Sequence, residues 1–148
     1  SEPELEHYLL QWEERRQRTL GPENVDFDDW FVPPADESHL LFLPTTLGTE
    51  APAYLDFYGI GDGVAGLTAE RLIAILDYWA EQWDAELVAN WGTMLQFVVG
   101  RPPETLDDAW ELAVDVQLLG PSGNGITHLR DLARYLWRRT RWFVHCRP

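Results

Sequence analysis

The stretch ELVANWGTMLQFVV, residues 86–99, decides the fold class of this chain. Its two apolar halves, 86–90 and 95–99, are short and flank Trp91-Gly92-Thr93, a pattern that predicts a β-hairpin. The strands of a hairpin run antiparallel, so the sheet built on it is expected to be largely antiparallel.

Helical and strand patterns continue outward from this hairpin. Leu5, Tyr8, Leu9 and Trp12 have helical spacing and predict an amphipathic helix over about residues 4–18. Three further helices are predicted, beginning at Thr68, at Thr105 and just after His128, and three further strands at His39–Leu43, Tyr54–Tyr58 and Arg141–Cys146.

The order of these elements shows hairpins and no regular β-α-β alternation, which favours an α+β domain. We expect one domain over residues 1–148, with about four helices covering a sheet of about 4–5 short strands. Residues 1–38 would supply the first helix and an irregular acidic segment, and residues 39–148 would form the α+β core.

Composition narrows the class of function. The 148 residues are 45% apolar and carry 25 acidic residues against 11 basic ones, giving a net charge of −14. Every basic residue is Arg, and this balance argues against general nucleic-acid binding and against anionic membrane surfaces. No apolar run is long enough to span a bilayer, no secretory signal is visible, and the single Cys146 fits a reducing compartment, so cytoplasm is the expected location.

Three passages carry a resemblance to a known family. They are the Leu72–Trp83 helix running into Asp84-Ala85-Glu86-Leu87-Val88, the passage Leu95–Thr105 with the following Asp108–Ala113 helix, and Gly123-Asn124-Gly125-Ile126 leading to Trp142-Phe143. The first is similar to a W-E-x-x-Y-G-A-E-L pattern, and together they resemble the bacterial family known as domain of unknown function 4253, over roughly residues 67–143. The chain departs from that pattern at Asp115-Val116-Gln117, Gly120-Pro121-Ser122 and its last five residues. The resemblance implies a fold and a bacterial origin, and no activity.

Catalytic and cofactor motifs are weak. Gly61-Asp62-Gly63-Val64-Ala65-Gly66 satisfies G-x-G-x-x-G, but Asp62 places a carboxylate where pyrophosphate would bind and the helix cap follows only at Thr68. No His or Cys spacing typical of a metal site occurs, and His145 and Cys146 would point to opposite faces of a strand. We expect no catalytic residues, no metal and no cofactor.

Arginines near the end of the chain form a candidate anion site. Residues 1–115 hold 24 acids and 5 Arg, whereas residues 116–148 hold 1 acid and 6 Arg. One interpretation is that the last helix pairs with the acidic body of the same domain. The other is a pocket that grips a carboxylate or phosphate through Arg101, Arg130, Arg134 and Arg138.

The segment Glu23–Glu37 mixes six acids with three aromatic residues. Aromatic anchors among acids are typical of a surface that recognises a basic protein, although packing of the rings onto the protein's own core is the alternative. The candidate partner-binding residues are Asp26, Phe27, Asp28, Asp29, Trp30, Phe31 and Glu37.

Two functions therefore stand as predictions. The first is a non-enzymatic protein that binds a basic macromolecular partner, as a toxin-neutralising immunity protein does. The second is a small-molecule anion-binding or enzymatic domain with an Arg-lined, Trp-walled cleft.

Overall fold

The computed structural model of the protein describes residues 1–16, 31–32, 34, 39, 41–50, 57–120 and 128–146. The helices in these ranges are α1 (Glu2–Arg16), α2 (Ala69–Trp83), α3 (Leu106–Leu119) and α4 (Leu129–Leu136), with a short 3₁₀ helix at Thr45–Glu50 and a π-type turn at Gly59–Gly63. The strands are β1 (Ala85–Asn90), β2 (Met94–Val99) and β3 (Arg141–His145). Within this described part of the chain, no helix combines the length and the apolarity needed to span a bilayer.

The sheet is antiparallel throughout, in the order β1-β2-β3. The predicted hairpin is confirmed: β1 pairs with β2, and Gly92 takes the positive φ of 79° that its turn requires. β3 pairs with the other edge of β2, which places Trp142 opposite Phe97. The α+β class is thus confirmed, but four to five strands were too many, because the described residues form three.

Two predicted strands account for this difference. His39 and Leu41–Leu43 carry no strand, and a 3₁₀ helix follows at once after Pro44. Leu41 and Phe42 are 73% and 86% exposed, so the apolar run that indicated a buried strand is not buried. Of Tyr54–Tyr58, residues 54–56 lie outside the described residues, and Phe57 and Tyr58 lead into the π-type turn, where the Tyr58 N–H donates to the Gly92 carbonyl at 2.7 Å.

Both predicted caps form. The Thr68 hydroxyl accepts from the Arg71 N–H at 3.3 Å, and the Thr105 hydroxyl accepts from the Asp108 N–H at 3.1 Å. Each bond satisfies a backbone donor that has no partner inside its helix, which fixes where α2 and α3 begin.

The core lies between one face of the sheet and the helices. Trp79 of α2 is fully buried and makes T-shaped contacts with Phe97 at 5.5 Å and Trp142 at 6.0 Å between ring centroids. Leu95 and Val99 are buried with Phe97 on alternate positions of β2. Alternation along the strand therefore directs this face to α2.

The opposite face of the sheet holds a buried amide. Gln96 is 1% exposed; its Oε1 accepts from the Trp91 indole at 2.6 Å, and its Nε2 donates to the Phe31 carbonyl at 3.2 Å. The Phe31 ring lies edge-on to Trp91 at 5.3 Å. Phe31 is thus anchored to the hairpin through both its carbonyl group and its ring.

α1 does not bury the apolar face that its sequence periodicity predicts. The residues it buries are Leu10 and Glu13, whereas Leu5 and Tyr8 of the predicted apolar face are 58% and 56% exposed. The physical reason is that polar contacts orient this helix. Glu6 accepts from the Arg130 backbone N–H at the start of α4, and the His7 ring stacks on Trp110 of α3 at 4.8 Å.

The strongest of these contacts is a buried ion pair. Arg134 of α4 forks onto both oxygens of Glu13, with Nε to Oε2 at 3.0 Å, and its Nη1 donates to Asp131 at 2.7 Å. The side chains of Glu13 and Arg134 are 5% and 15% exposed. Such a pair is costly to break from one side, because the remaining charge stays buried without its counterion.

Glu13→Ala is therefore expected to lower the free energy of unfolding by about 2–3 kcal/mol, since it leaves the Arg134 guanidinium without its main partner. Urea denaturation at pH 7 measures this. Glu14→Ala is the matched control on the same helix, because Glu14 is exposed and should change stability by less than about 0.5 kcal/mol. Equal losses in the two variants would contradict the role of the pair.

Candidate functional site

A cleft of about 500 Å³ opens between α2, α3 and the loop that precedes α2. Its walls are mostly aliphatic, and three polar side chains, Arg71, Tyr78 and Asp115, reach it. The complete lining is Val64, Ala65, Gly66, Leu67, Arg71, Ala74, Ile75, Tyr78, Asp115, Leu118 and Leu119.

The loop wall of the cleft is the end of the G-x-G-x-x-G motif. Gly66 has a φ of 76°, which favours glycine, and its carbonyl accepts from Arg71 Nη1 at 2.6 Å. The Leu67 carbonyl accepts from the Gly61 N–H at 3.2 Å, which closes the loop on itself. The motif therefore folds as a self-bonded turn.

Close packing explains a second glycine of this loop. A Cβ on Gly63 would lie 2.6 Å from the Cys146 sulfur and 2.9 Å from the Tyr58 ring. Cys146 itself is fully buried at the end of β3, and burial raises the pKa of its thiol. The raised pKa opposes the thiolate that a nucleophilic cysteine needs.

Asp115 is the distinctive polar group of the cleft. It is half-buried on α3, and its Oδ2 accepts from the Trp79 indole N–H at 3.4 Å, a long hydrogen bond. Desolvation raises the pKa of this carboxyl above its ordinary value of 3.8, and the weaker bond from Trp79 opposes the rise. Carboxyl groups with perturbed pKa values cluster at functional sites, which makes Asp115 a candidate site residue.

The polar side chains of the cleft can form hydrogen bonds and ion pairs with a bound molecule. Asp115 can accept a hydrogen bond, or donate one when protonated, and Arg71 retains N–H groups beyond the one on Gly66. The aliphatic side chains can enclose an apolar body.

The structure gives a position to one of the candidate partner-binding residues. Phe31 is half-buried against Trp91. The other candidates, Asp26, Phe27, Asp28, Asp29, Trp30 and Glu37, lie outside the described residues.

The candidate anion-binding arginines engage separate partners. Arg101 donates from Nη2 to the Glu81 carbonyl, and the Arg138 guanidinium lies over the Trp137 ring at 4.7 Å. Arg134 binds Glu13 and Asp131, as described above. Arg130 donates its backbone N–H to Glu6, while its Nε is buried without a hydrogen-bond partner among the described atoms.

A possible ligand group unforeseen from the sequence lies beside Arg130. One atom each of Glu2, Glu6 and His128 lies within 4.8 Å of the others. The two oxygens of Glu6 already bond His128 Nδ1 at 2.9 Å and the Arg130 N–H at 3.2 Å, so the group serves as the contact between α1 and α4.

Sequence reasoning missed all three polar residues of the cleft. Asp115 did stand out as a departure from the family pattern, and it lies in the mostly apolar stretch Leu112–Leu119, four residues of which are buried. An acidic residue inside such a stretch could have indicated the cleft, because a carboxyl group on a buried helix face needs a cavity or a hydrogen-bond partner.

The raised pKa of Asp115 predicts a pH-dependent stability. Ionisation is disfavoured in the folded state, so this carboxyl weakens the fold as pH rises from about its ordinary value of 3.8 through its raised pKa. Asp115→Asn should therefore be more stable than the wild type at pH 7, by less than about 1 kcal/mol because the group is only half-buried. The difference should vanish below pH 3.8.

Asp107→Asn is the matched control for this measurement, made by urea denaturation across pH 3–8. Bonds from Gln11 and His7 lower the pKa of Asp107, so its replacement should cost stability at pH 7 and cost little in acid. A destabilised Asp115→Asn at pH 7 would contradict the desolvation of Asp115.

Comparison with known proteins gives a family. No curated protein and no solved structure shows a significant match to the chain. The sequence model of the domain of unknown function DUF4253 matches residues 39–145, which include β1–β3, α2–α4 and every residue that lines the cleft. The match spans well over half of the 148 residues, so the chain belongs to the DUF4253 family.

Proposed function

We propose that the protein binds a small organic molecule in the cleft between α2, α3 and the Val64–Leu67 loop. The observation that carries this proposal is the desolvated carboxyl group of Asp115 at the wall of an aliphatic cleft. A volume of about 500 Å³ falls within the range of pockets that bind small ligands. Apolar walls with a few convergent polar groups are the usual composition of such pockets.

The contacts define what the ligand must offer. Trp79 donates one long hydrogen bond to Oδ2 of Asp115, so the carboxyl group retains acceptor sites for a ligand. An amine on the ligand would pair with the ionised carboxylate, whereas a carbonyl oxygen would need the protonated form. Ile75, Leu118 and Leu119 would cover an apolar body of the ligand.

This cleft differs from the Arg-lined, Trp-walled cleft expected from the sequence. The arginine that lines it is Arg71, and none of the four arginines predicted to bind an anion lines it. Its walls are aliphatic. Trp79 does not line the cleft, but its indole N–H donates a hydrogen bond to Asp115, which does. The small-molecule hypothesis therefore stands on a different set of residues.

A thermal-shift screen of small amines and carbonyl compounds with aliphatic rings tests the proposal. A ligand at ten times its Kd should raise Tm by about 3–5 °C. Ala74→Phe should abolish the shift because its ring fills the cleft, and Asp115→Asn should remove the response to amines in particular.

Gln82→Phe provides the control for the bulky substitution, because Gln82 is exposed on α2 and does not line the cleft. It should leave the shift unchanged. A compound that shifts wild type and Ala74→Phe equally binds elsewhere, and such a result for every hit would overturn the proposal.

A second function, binding of a basic macromolecular partner, is favoured by a different observation. Val32, Leu41 and Phe42 are 76%, 73% and 86% exposed; Val32 lies within the acidic segment Glu23–Glu37, and Leu41 and Phe42 follow soon after its end in the sequence. Exposed apolar side chains beside concentrated charge suit a docking surface, because the charge steers the encounter and the apolar groups anchor it. An immunity-protein-like role is the form of this function that we predict.

Capture from native lysate on the immobilised protein tests this second function. The captured protein should be basic, and raising salt from about 0.05 to 0.5 M should release it. Phe42→Ser should cut capture of that same protein at least about tenfold, which corresponds to the loss of one anchoring side chain.

Val88→Ser serves as the control, since Val88 is an exposed apolar residue on β1, distant in sequence from the segment. Capture that is insensitive to salt, or lost equally in both variants, would count against the proposal.

A further inference from the structure

α1 presents an apolar stripe away from the rest of the protein. Leu5 and Tyr8 are 58% and 56% exposed, and Trp12 is half-buried one turn further along. These positions follow at i, i+3 and i+7, so they share one side of the helix. Leu10 and Glu13, which are buried against the body, lie on the other side.

Charge is divided along the same helix. Glu2 and Glu4 lie in its first turn, and Arg15 and Arg16 lie in its last turn. A second copy of the helix laid antiparallel would place its arginines against these acids, and its acids against these arginines. A parallel copy would bring like charges together at both ends.

We propose that two copies of this chain associate through α1, with the two helices antiparallel about a two-fold axis. The axis would pass near Tyr8 and Leu9, so that Leu5 of one copy meets Trp12 of the other. The first-turn acids would then lie on the same flanks as the last-turn arginines of the second copy, Glu2 with Arg16 and Glu4 with Arg15. Such an interface is isologous, because one surface meets itself and both ends gain the same ion pairs.

The charged groups at the two ends of α1 can form ion pairs with a second copy, because their contacts within the chain are weak. Arg15 donates Nε to the Gln11 carbonyl within its own helix at 3.2 Å, and the Arg16 guanidinium lies 5.9 Å from the centre of the Trp12 ring. Glu4 bonds the amino group of Ser1 at 2.6 Å, where both groups are exposed. Contacts of this exposed kind are weak and exchange readily for intermolecular pairs.

The size of the interface sets its strength. The 15 residues of α1 form a helix about 22 Å long, and two such helices bury less than a standard interface of about 1,600 Å². The dimer is therefore expected to be weak and to form with rising protein concentration.

Sedimentation equilibrium of the whole chain between about 5 and 500 μM tests the dimer. The average mass of the wild type should rise from one chain towards two across this range. Tyr8→Glu should weaken association at least about tenfold, because it places a charge at the centre of the interface. Gln82→Glu, which adds the same charge on α2, should leave association unchanged.

Charge reversal tests the antiparallel orientation. Glu2→Arg with Glu4→Arg, and separately Arg15→Glu with Arg16→Glu, should each abolish self-association, while an equimolar mixture of the two double variants should associate. Far-ultraviolet circular dichroism establishes that α1 remains helical in each variant.

Three results would overturn the proposal: a wild type that stays monomeric at 500 μM, a dimer that survives Tyr8→Glu, or double variants that do not associate when mixed. These outcomes are independent of the cleft, because none of the substituted residues lines it.

Discussion

Trp79 is the contact on which the rest of the structure depends. Its ring is fully buried between Phe97 of β2 and Trp142 of β3, so it joins α2 to the two strands that carry the core face of the sheet. Its indole N–H extends in another direction, to Asp115 of α3. One side chain thus couples sheet packing to the position and ionisation of the carboxyl group in the cleft. Because interiors are close-packed, a shift of this ring would change the core and the cleft together.

The acidity of the chain has an internal counterpart. Glu13 is paired with Arg134, and Glu6 bonds the start of α4 through the Arg130 N–H and His128. These contacts match the interpretation that the last helix pairs with the acidic body of the same domain. They also mean that Glu6 and Glu13 are already engaged within the protein, so fewer of the acids of α1 are available to a partner. The six acids of Glu23–Glu37 are the larger local source of negative potential in the sequence.

The sequence predicted the elements whose signals are local. The hairpin around Gly92 and the caps at Thr68 and Thr105 each depend on residues within a few positions of one another, and all three form. The run His39–Leu43 was misinterpreted because apolar composition indicates burial only where a partner exists, and Phe42 has none in the described structure. α1 was misoriented for a related reason, since its contacts come from residues about 100 positions away. The cleft was missed because Arg71 and Asp115 come to line one cavity only through the placement of α2 beside α3, which no periodicity encodes.

The family match separates α1 from the rest of the described structure. Residues 39–145 contain the cleft, the sheet and Arg134, while α1 and its Glu13 precede the match. Arg134 is 15% exposed and forms ion pairs with Glu13 and with Asp131, so loss of Glu13 would remove the acceptor that takes both its Nε and its Nη2. A guanidinium at that depth requires a second acceptor, because partial desolvation weakens its hydration without replacing it. α1 is therefore an integral part of this fold even though it lies outside the matched domain. Its inward face completes an ion pair of the domain, which leaves its outward face, with Leu5 and Tyr8, as the surface through which α1 can contact other molecules.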